Sequence, residues 1–300
     1  MVVWRLTDRK PGHENQTSGL VAALLRRGPV QCHDIAIDRA TTGMADLLLR
    51  RFPPGNPLPP PDLLLGAGHT THLPLLAARR ARGGRAVVLM RPSLPLGLFD
   101  LCLIPEHDNP PRRRNVLATH GVLNGLTASG AHHQDRGLVL IGGPSKHYGW
   151  DQPGLMGRLR RLFESSPAVR FTLTDSRRTP DSFISDLEMQ RFPNCEIVPL
   201  AETGPGWVAA QLAESALAWV TEDSVSMVFE ALTAGCRVGL LPVPLQRPGR
   251  VSRGVNALLE AGWVGRFENG AEGAPPLPRA GFNEADRCAE WMLKQWPDLQ

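Results

Sequence analysis

Tyrosine and lysine are nearly missing from this 300-residue chain, which has one tyrosine and three lysines against 30 arginines. Single-stranded nucleic acid is held by aromatic faces set among cations. The arginine clusters here (Arg26-Arg27, Arg79/Arg80/Arg82/Arg85 and Arg112-Arg113-Arg114) carry no interleaved aromatics, so no nucleic-acid partner is expected. The five cysteines, Cys32, Cys102, Cys195, Cys236 and Cys288, are odd in number and form no C-x-x-C pair. That excludes a disulfide framework and a structural zinc site, and suits buried thiols in a reducing compartment. No apolar run approaches the roughly 20 residues that span a bilayer. The first residues lack a basic n-region and cleavage site. A cytoplasmic protein is expected.

Other signatures are missing as well. There is no H-E-x-x-H, and His69-Thr-Thr-His72 has no third ligand in view, so no metal is expected. Neither G-x-G-x-x-G nor a P-loop occurs, so no dinucleotide cofactor is expected.

What is present is globular: 42% hydrophobic and 21% charged residues. Charge is uneven. Residues 1–135 hold 16 Lys/Arg against 10 Asp/Glu, and the remainder holds 17 against 19. The positive half leaves peripheral contact with the inner face of an anionic membrane open.

Short apolar strands alternate with helical stretches in both halves. Val2–Leu6, Cys32–Ile37, Leu63–Leu65, Ala86–Met90, Leu101–Ile104 and Val116–Ala118 read as strands, with helices near Glu14–Arg27, Thr42–Arg50 and Thr71–Arg82. A polar seam, Thr127–Gly137, reads as the linker. Strands resume at Leu138–Ile141, Arg170–Leu173, Glu196–Pro199, Ala218–Val220 and Val238–Leu241. Helices lie near Leu155–Phe163, Asp181–Gln190, Trp207–Ser215, Ser224–Ala234 and Glu284–Trp296. This alternation predicts an α/β protein of two Rossmann-like domains with a central cleft. The expected division is residues 1–130, residues 137–280, and a C-terminal helix in 281–300 that packs back on the first domain.

The chemistry gathers where strands end. After the first strand comes a polar run containing Asp8, Pro11-Gly12, His13 and Glu14. Pro11-Gly12 predicts a sharp turn, with His13, Gln16 and Thr17 on one helix face. An imidazole ordinarily titrates near pH 6.5, so His13 suits a general base, oriented by Asp8 or Glu14. Glu106, His107 and Asp108 stand at the end of another first-half strand. In the second half, Gly142-Gly143 permit close backbone approach, followed by Ser145 and Lys146. Ser176, Arg177 and Arg178 offer a diphosphate clamp, with a structural salt bridge as the alternative. In the segment 219–243, Asp223 and Ser224 begin a helix whose N-terminus favours an anion. Ser226, Glu230 and Thr233 share a face distinct from the apolar stripe of Val225, Val228, Phe229 and Leu232. An ordinary N-cap with a solvated glutamate is the plainer account of the same residues.

Together these segments resemble the elongated-mitochondria family, the plant mitochondrial fission factor and its bacterial relatives. The match runs in order through Trp4, Asp8 and Pro11–Gln16, then Phe99-Asp100 and Pro105–Asp108. It continues through Gly142–Lys146, Ser176–Pro180, and Thr221 with Asp223–Met227 and Glu230-Ala231. The resemblance covers nearly the whole chain. It implies a glycosyltransferase-B-type pair of Rossmann-like domains. The plant member is implicated in recruiting a dynamin-related protein to mitochondria, and bacterial members have been labelled nucleoside-diphosphate-sugar epimerases. An epimerase with an NAD site and a Tyr-x-x-x-Lys pair is excluded, because the residue four positions after Tyr148 is Gln152.

The segment 219–243 is also similar to the donor site of lipid-linked sugar transferases such as the peptidoglycan N-acetylglucosaminyltransferase. That similarity implies ribose on Glu230 and phosphates near Ser224, Ser226 and Met227. The function implied is transfer from a nucleotide-diphosphate sugar, bound as a co-substrate, to a cell-envelope acceptor. His13 or Asp8 would act as base, with Glu14, Glu106 and His107 as further catalytic candidates. The alternative is a non-catalytic adaptor on the same scaffold. No particular protein partner is indicated.

Overall fold

The computed structural model describes residues 1–37, 43–128, 130–267 and 281–299. In chain order they form β1 (Val2–Thr7), α1 (Pro11–Leu25), β2 (Gln31–Ala36), α2 (Met44–Leu48), β3 (Leu63–Ala67), α3 (His72–Arg82), β4 (Arg85–Leu89), β5 (Leu101–Pro105) and β6 (Val116–Thr119). Next come β7 (His133–Leu140), α4 (Gln152–Ser165), β8 (Arg170–Thr174), α5 (Asp181–Gln190), β9 (Cys195–Ile197), α6 (Trp207–Glu214) and β10 (Ser215–Thr221). The chain ends with α7 (Val225–Ala234), β11 (Arg237–Leu241), α8 (Arg250–Glu260), β12 (Val264–Arg266) and α9 (Glu284–Gln295). Two compact units result: Met1–Gly125 with Asn283–Gln300, and Leu126–Phe282.

The first unit is a parallel sheet in the order β2-β1-β3-β4-β5-β6. Strands β3 and β5 are buried at every position, as expected of a parallel sheet covered on both faces. Leu20 and Leu24 of α1 and Cys288, Ala289 and Met292 of α9 pack with Val3, Leu63 and Leu65. Leu75, Leu76 and Ala78 of α3 join a second cluster with Trp4, Leu6, Leu64 and Val88. Alternate residues of one strand thus serve opposite layers. Pro11-Gly12 opens α1 rather than making a turn before it. Proline stands at the start of the helix, where its fixed φ fits and its missing N–H costs nothing.

The second unit is a parallel sheet in the order β12-β11-β10-β7-β8-β9. Leu155, Leu159, Leu162 and Phe163 of α4 and Phe183 and Leu187 of α5 pack on Phe171 and Leu173. Helix α7 buries Val228, Phe229 and Leu232, each contributing roughly 1.5–3 kcal/mol of transfer free energy.

Each sheet reverses direction once. From β1 the chain steps out to β2 and returns to β3 on the other side; from β7 it runs out through β8 and β9 and returns to β10. Ligands of open α/β sheets bind beyond the carboxyl ends of the strands at such reversals.

Several sequence expectations need correcting. Strand β7 begins at His133, inside the expected linker, because its polar end pairs through backbone with Ser215 of β10. Helix α8 and strand β12 were not anticipated. Val255, Leu258 and Leu259 of α8 recur at helical spacing and were a readable signal, whereas three residues are too few for β12 to show periodicity. Cys32 is exposed on the edge strand β2, and all five cysteines are free thiols. Thr42 in the expected second helix, Ser129 in the linker, 268–280 of the second domain and Gln300 lie outside the described residues. No helix among the described residues is long and apolar enough to cross a membrane.

Candidate functional site

At the reversal of the first sheet, the loop after β1 carries a carboxylate–imidazole pair. His13 Nδ1 lies 2.9 Å from Asp8 Oδ2 and 3.0 Å from Oδ1. An ionised carboxylate only accepts, so Nδ1 is assigned the proton and Nε2 keeps its lone pair for a substrate proton. The Asp8 carboxylate is 3% exposed and the His13 ring 19%. Burial alone would raise the Asp8 pKa; the His13 contact, the Lys10 amide and the Lys10 ammonium 3.4 Å away outweigh it and hold the acid below its ordinary value. Gly68, after β3, has φ +84°, and a side chain there would overlap the His13 ring. The two strands of the reversal therefore press backbone and imidazole together.

Of the two proposed orienting residues, Asp8 rather than Glu14 holds the imidazole. The Glu14 carbonyl accepts from Thr17 Oγ1 at 3.2 Å, and its side chain lies outside the pair. Glu106 and His107 follow β5, which β3 and β4 separate from β1. Three strand spacings amount to about 14 Å, so these two are not part of the Asp8–His13 pair. Glu106 instead lies 3.1 Å from His120 in an exposed pair. Beside it, Glu284 of α9 accepts from the His120 amide and from Arg287.

The reversal of the second sheet gathers most of the remaining candidates. Gly142 N–H donates to Thr221 Oγ1 at 2.7 Å, and Gly143 N–H donates to Asp223 Oδ2 at 3.0 Å. Arg178 Nη2 donates to the same Asp223 oxygen at 2.6 Å and to Ser224 Oγ at 3.0 Å; its Nη1 reaches the Gly143 carbonyl at 2.6 Å. Thr179 Oγ1 donates to the Gly142 carbonyl and accepts from Ser176 N–H. A side chain on Gly143 would overlap the Arg178 carbonyl, and one on Gly142 would overlap Ser224 and Asp223. The glycine pair thus admits the chain's own loops.

Gly142, Gly143 and Arg178 are consequently spent inside the protein. Ser145 is spent too, its hydroxyl accepting from the His147 and Tyr148 amides at 3.2 Å. Some backbone donors here are not taken up internally. Ser224 occupies the N-cap of α7, yet its hydroxyl donates to Asp223 Oδ2 at 3.1 Å and makes no capping bond. The N–H groups of Val225, Ser226 and Met227 therefore have no acceptor among the described residues. Lys146 and Arg177, both exposed, have no side-chain partner among the described residues. Ser226 is exposed and Glu230 half-buried one turn along the same face. Thr233 is buried, donating to the Phe229 carbonyl at 2.7 Å, so the expected Ser/Glu/Thr stripe ends at Glu230.

Sequence reasoning placed Thr221 in the family match but gave it no role, although it is the acceptor for Gly142. It missed Glu222, which is 6% exposed and hydrogen-bonded to Arg266 Nε at 2.5 Å. Burial raises the Glu222 pKa, with Arg266 opposing. Burial, then the charges of Glu222 and Asp223, push the Tyr148 phenol up to about 12. Arg266 lies on the unanticipated β12, so the pairing left no sequence signal. Among the described residues no group of three His, Cys, Asp or Glu could hold a metal ion.

Comparison with solved structures places these two sheets in a known architecture. The chain is similar to Acinetobacter baumannii MurG, with a TM-score of 0.54 at 13% identity over 98% of this chain and 99% of that one. A UDP-GlcNAc 2-epimerase from Methanocaldococcus jannaschii gives 0.51 at 10% identity over 98% and 100%. The fold is α/β, two Rossmann-like units of the glycosyltransferase-B type. In sequence, the chain is 24% identical to the uncharacterized protein RP120 of Rickettsia prowazekii over 223 residues, 59% of this chain and 63% of that protein's length. The family model described as Mitochondrial fission ELM1 matches residues 11–296, and the chain belongs to that family.

Proposed function

We propose that the second unit binds a nucleotide-diphosphate sugar and that the chain transfers the sugar to a cell-envelope acceptor. The observation that carries this reading is the uncapped N-terminus of α7 at the sheet reversal. Three open amides, Ser226, Lys146 and Arg177 offer donors and positive charge to a diphosphate. Glu230, one turn along, suits ribose hydroxyls. A neighbour of the same fold is named for a UDP-linked sugar, which supports the ligand class.

For the transfer, the first unit offers His13 Nε2 as the candidate base for the acceptor hydroxyl's proton. The acceptor oxygen bonds to the anomeric carbon as the bond from that carbon to the diphosphate breaks, and the diphosphate leaves with the electron pair. Inversion follows from this single displacement. Asp8 stabilises the imidazolium that forms. Lys146, Arg177 and the α7 amides stabilise the leaving diphosphate.

One observation favours the adaptor reading. The glycine pair and Arg178 are satisfied without any ligand, as in a scaffold that needs none. Thermal-shift titration with UDP, GDP, ADP and their sugar conjugates separates the two readings. Saturable stabilisation by one nucleotide, lost in Glu230→Ala, supports the enzyme; at 100 times Kd it amounts to about 2.7 kcal/mol. No response to any nucleotide supports the adaptor.

A further inference from the structure

Asp223 is the unusual member of the second site. Its side chain is 1% exposed and carries a carboxylate at the threshold of a helix N-terminus, where an anionic ligand would sit. Oδ2 accepts from the Gly143 amide at 3.0 Å, Arg178 at 2.6 Å and Ser224 Oγ at 3.1 Å. Oδ1 is buried with no hydrogen-bond partner among the described residues. A glycine amide, an arginine and a helix-start hydroxyl are the donors a phosphate recruits, and here an internal carboxylate holds them. Arg178 cancels its charge only in part: the guanidinium is 41% exposed, whereas the carboxylate is enclosed.

We infer that Asp223 is a specificity-determining residue, a built-in anion that makes the site prefer a sugar-linked nucleoside diphosphate to the free nucleoside diphosphate. The inference rests on the phosphate seat proposed above. The two ligands share base, ribose and both phosphorus atoms. They differ in the terminal phosphate, which loses one ionisable oxygen when esterified to sugar. A free terminal phosphate has a second pKa of about 6 and so carries nearly one extra negative charge at neutral pH. A fixed carboxylate two residues before the first open amide of α7 repels that extra charge more than the ester. Donor is thereby favoured over spent product, and release of the diphosphate is eased. Asn at this position keeps the shape and an acceptor for Gly143 and Arg178 while removing the charge.

The test uses the full chain and three ligand pairs: UDP with UDP-N-acetylglucosamine, GDP with GDP-mannose, and ADP with ADP-glucose. In calorimetric titration near pH 7.5, the sugar conjugate of the responding pair binds the wild type at least as tightly as the free diphosphate. Asp223→Asn tightens the free diphosphate about tenfold and the conjugate markedly less, as expected for one unit charge across a partly screened gap. Asp223→Ser shifts the preference the same way and serves if the Asn variant does not fold. Equal tightening of both ligands, or weakening of both, overturns the inference while the phosphate seat stands. A wild type that holds the free diphosphate tenfold more tightly than the conjugate overturns it without any variant. If no pair binds wild type or variant, the phosphate seat itself is wrong, and the inference falls with it.

Discussion

Arg177 and Arg178 are adjacent in sequence and opposite in use. Arg178 locks onto Asp223 at 2.6 Å, while Arg177 has no side-chain partner among the described residues. Arg178→Gln should therefore destabilise the second unit by about 1.5–3 kcal/mol, the usual loss when a charged hydrogen bond to a buried group is removed. Arg177→Gln should leave unfolding unchanged and weaken nucleotide binding. Urea denaturation of both variants, followed through the tryptophans, checks the contrast; equal stabilities would remove the bracing role.

Gly143→Ala should disturb the site from inside. Its methyl would overlap the Arg178 carbonyl, and backbone cannot rotate away as a side-chain tip can. We expect a cost of about 1–3 kcal/mol, as for overpacking elsewhere, together with lost nucleotide affinity. A variant as stable as wild type with unaltered affinity would show that the close approach is not needed.

The Asp8–His13 pair predicts a stability effect with a definite sign. The folded pKa of Asp8 lies below its ordinary value of 3.8, so its contribution is present above pH 4 and is lost as pH falls through the lowered value. Asp8→Asn should be less stable than wild type at pH 7, and the gap should close on acidification below pH 4. In a transfer assay, His13→Ala should abolish turnover with nucleotide affinity unchanged. Retained turnover would remove the base assignment.

His72, at the start of α3, supplies a second pH dependence. It is buried and packed edge-on against Phe99, with Ser93 Oγ 3.2 Å from Nδ1. Burial, then the charge of His69, depress its pKa from 6.5 to about 4. The unfolded chain binds that proton more readily, so stability falls as pH drops from 6.5 towards 4. His72→Gln should flatten the first unit's stability over that window. An unchanged slope in stepwise urea melts would contradict the assignment.

Most of the framework was readable because parallel strands buried on both faces announce themselves as apolar runs such as Leu63–Leu65, and their polar ends mark the carboxyl edges. Residues near the site were readable for the same reason: Asp8, Lys146, Arg177 and Ser224 all follow strands. Their partners were not. Arg178 and Asp223 lie 45 residues apart, and nothing in either segment tells whether its donors turn inward or outward. Helix α8 was legible in the spacing of Val255, Leu258 and Leu259, but β12 was too short to read, and with it went Arg266, the partner of Glu222.

The central claim is that open donors around the start of α7 form a phosphate seat. Calorimetric titration of the stabilising nucleotide against wild type and the double variant Lys146→Gln/Arg177→Gln tests it most directly. The seat predicts at least a tenfold loss of affinity with an unchanged melting profile, and a weaker dependence of affinity on salt. Wild-type affinity and salt dependence in a folded double variant would place the phosphates elsewhere and contradict the account.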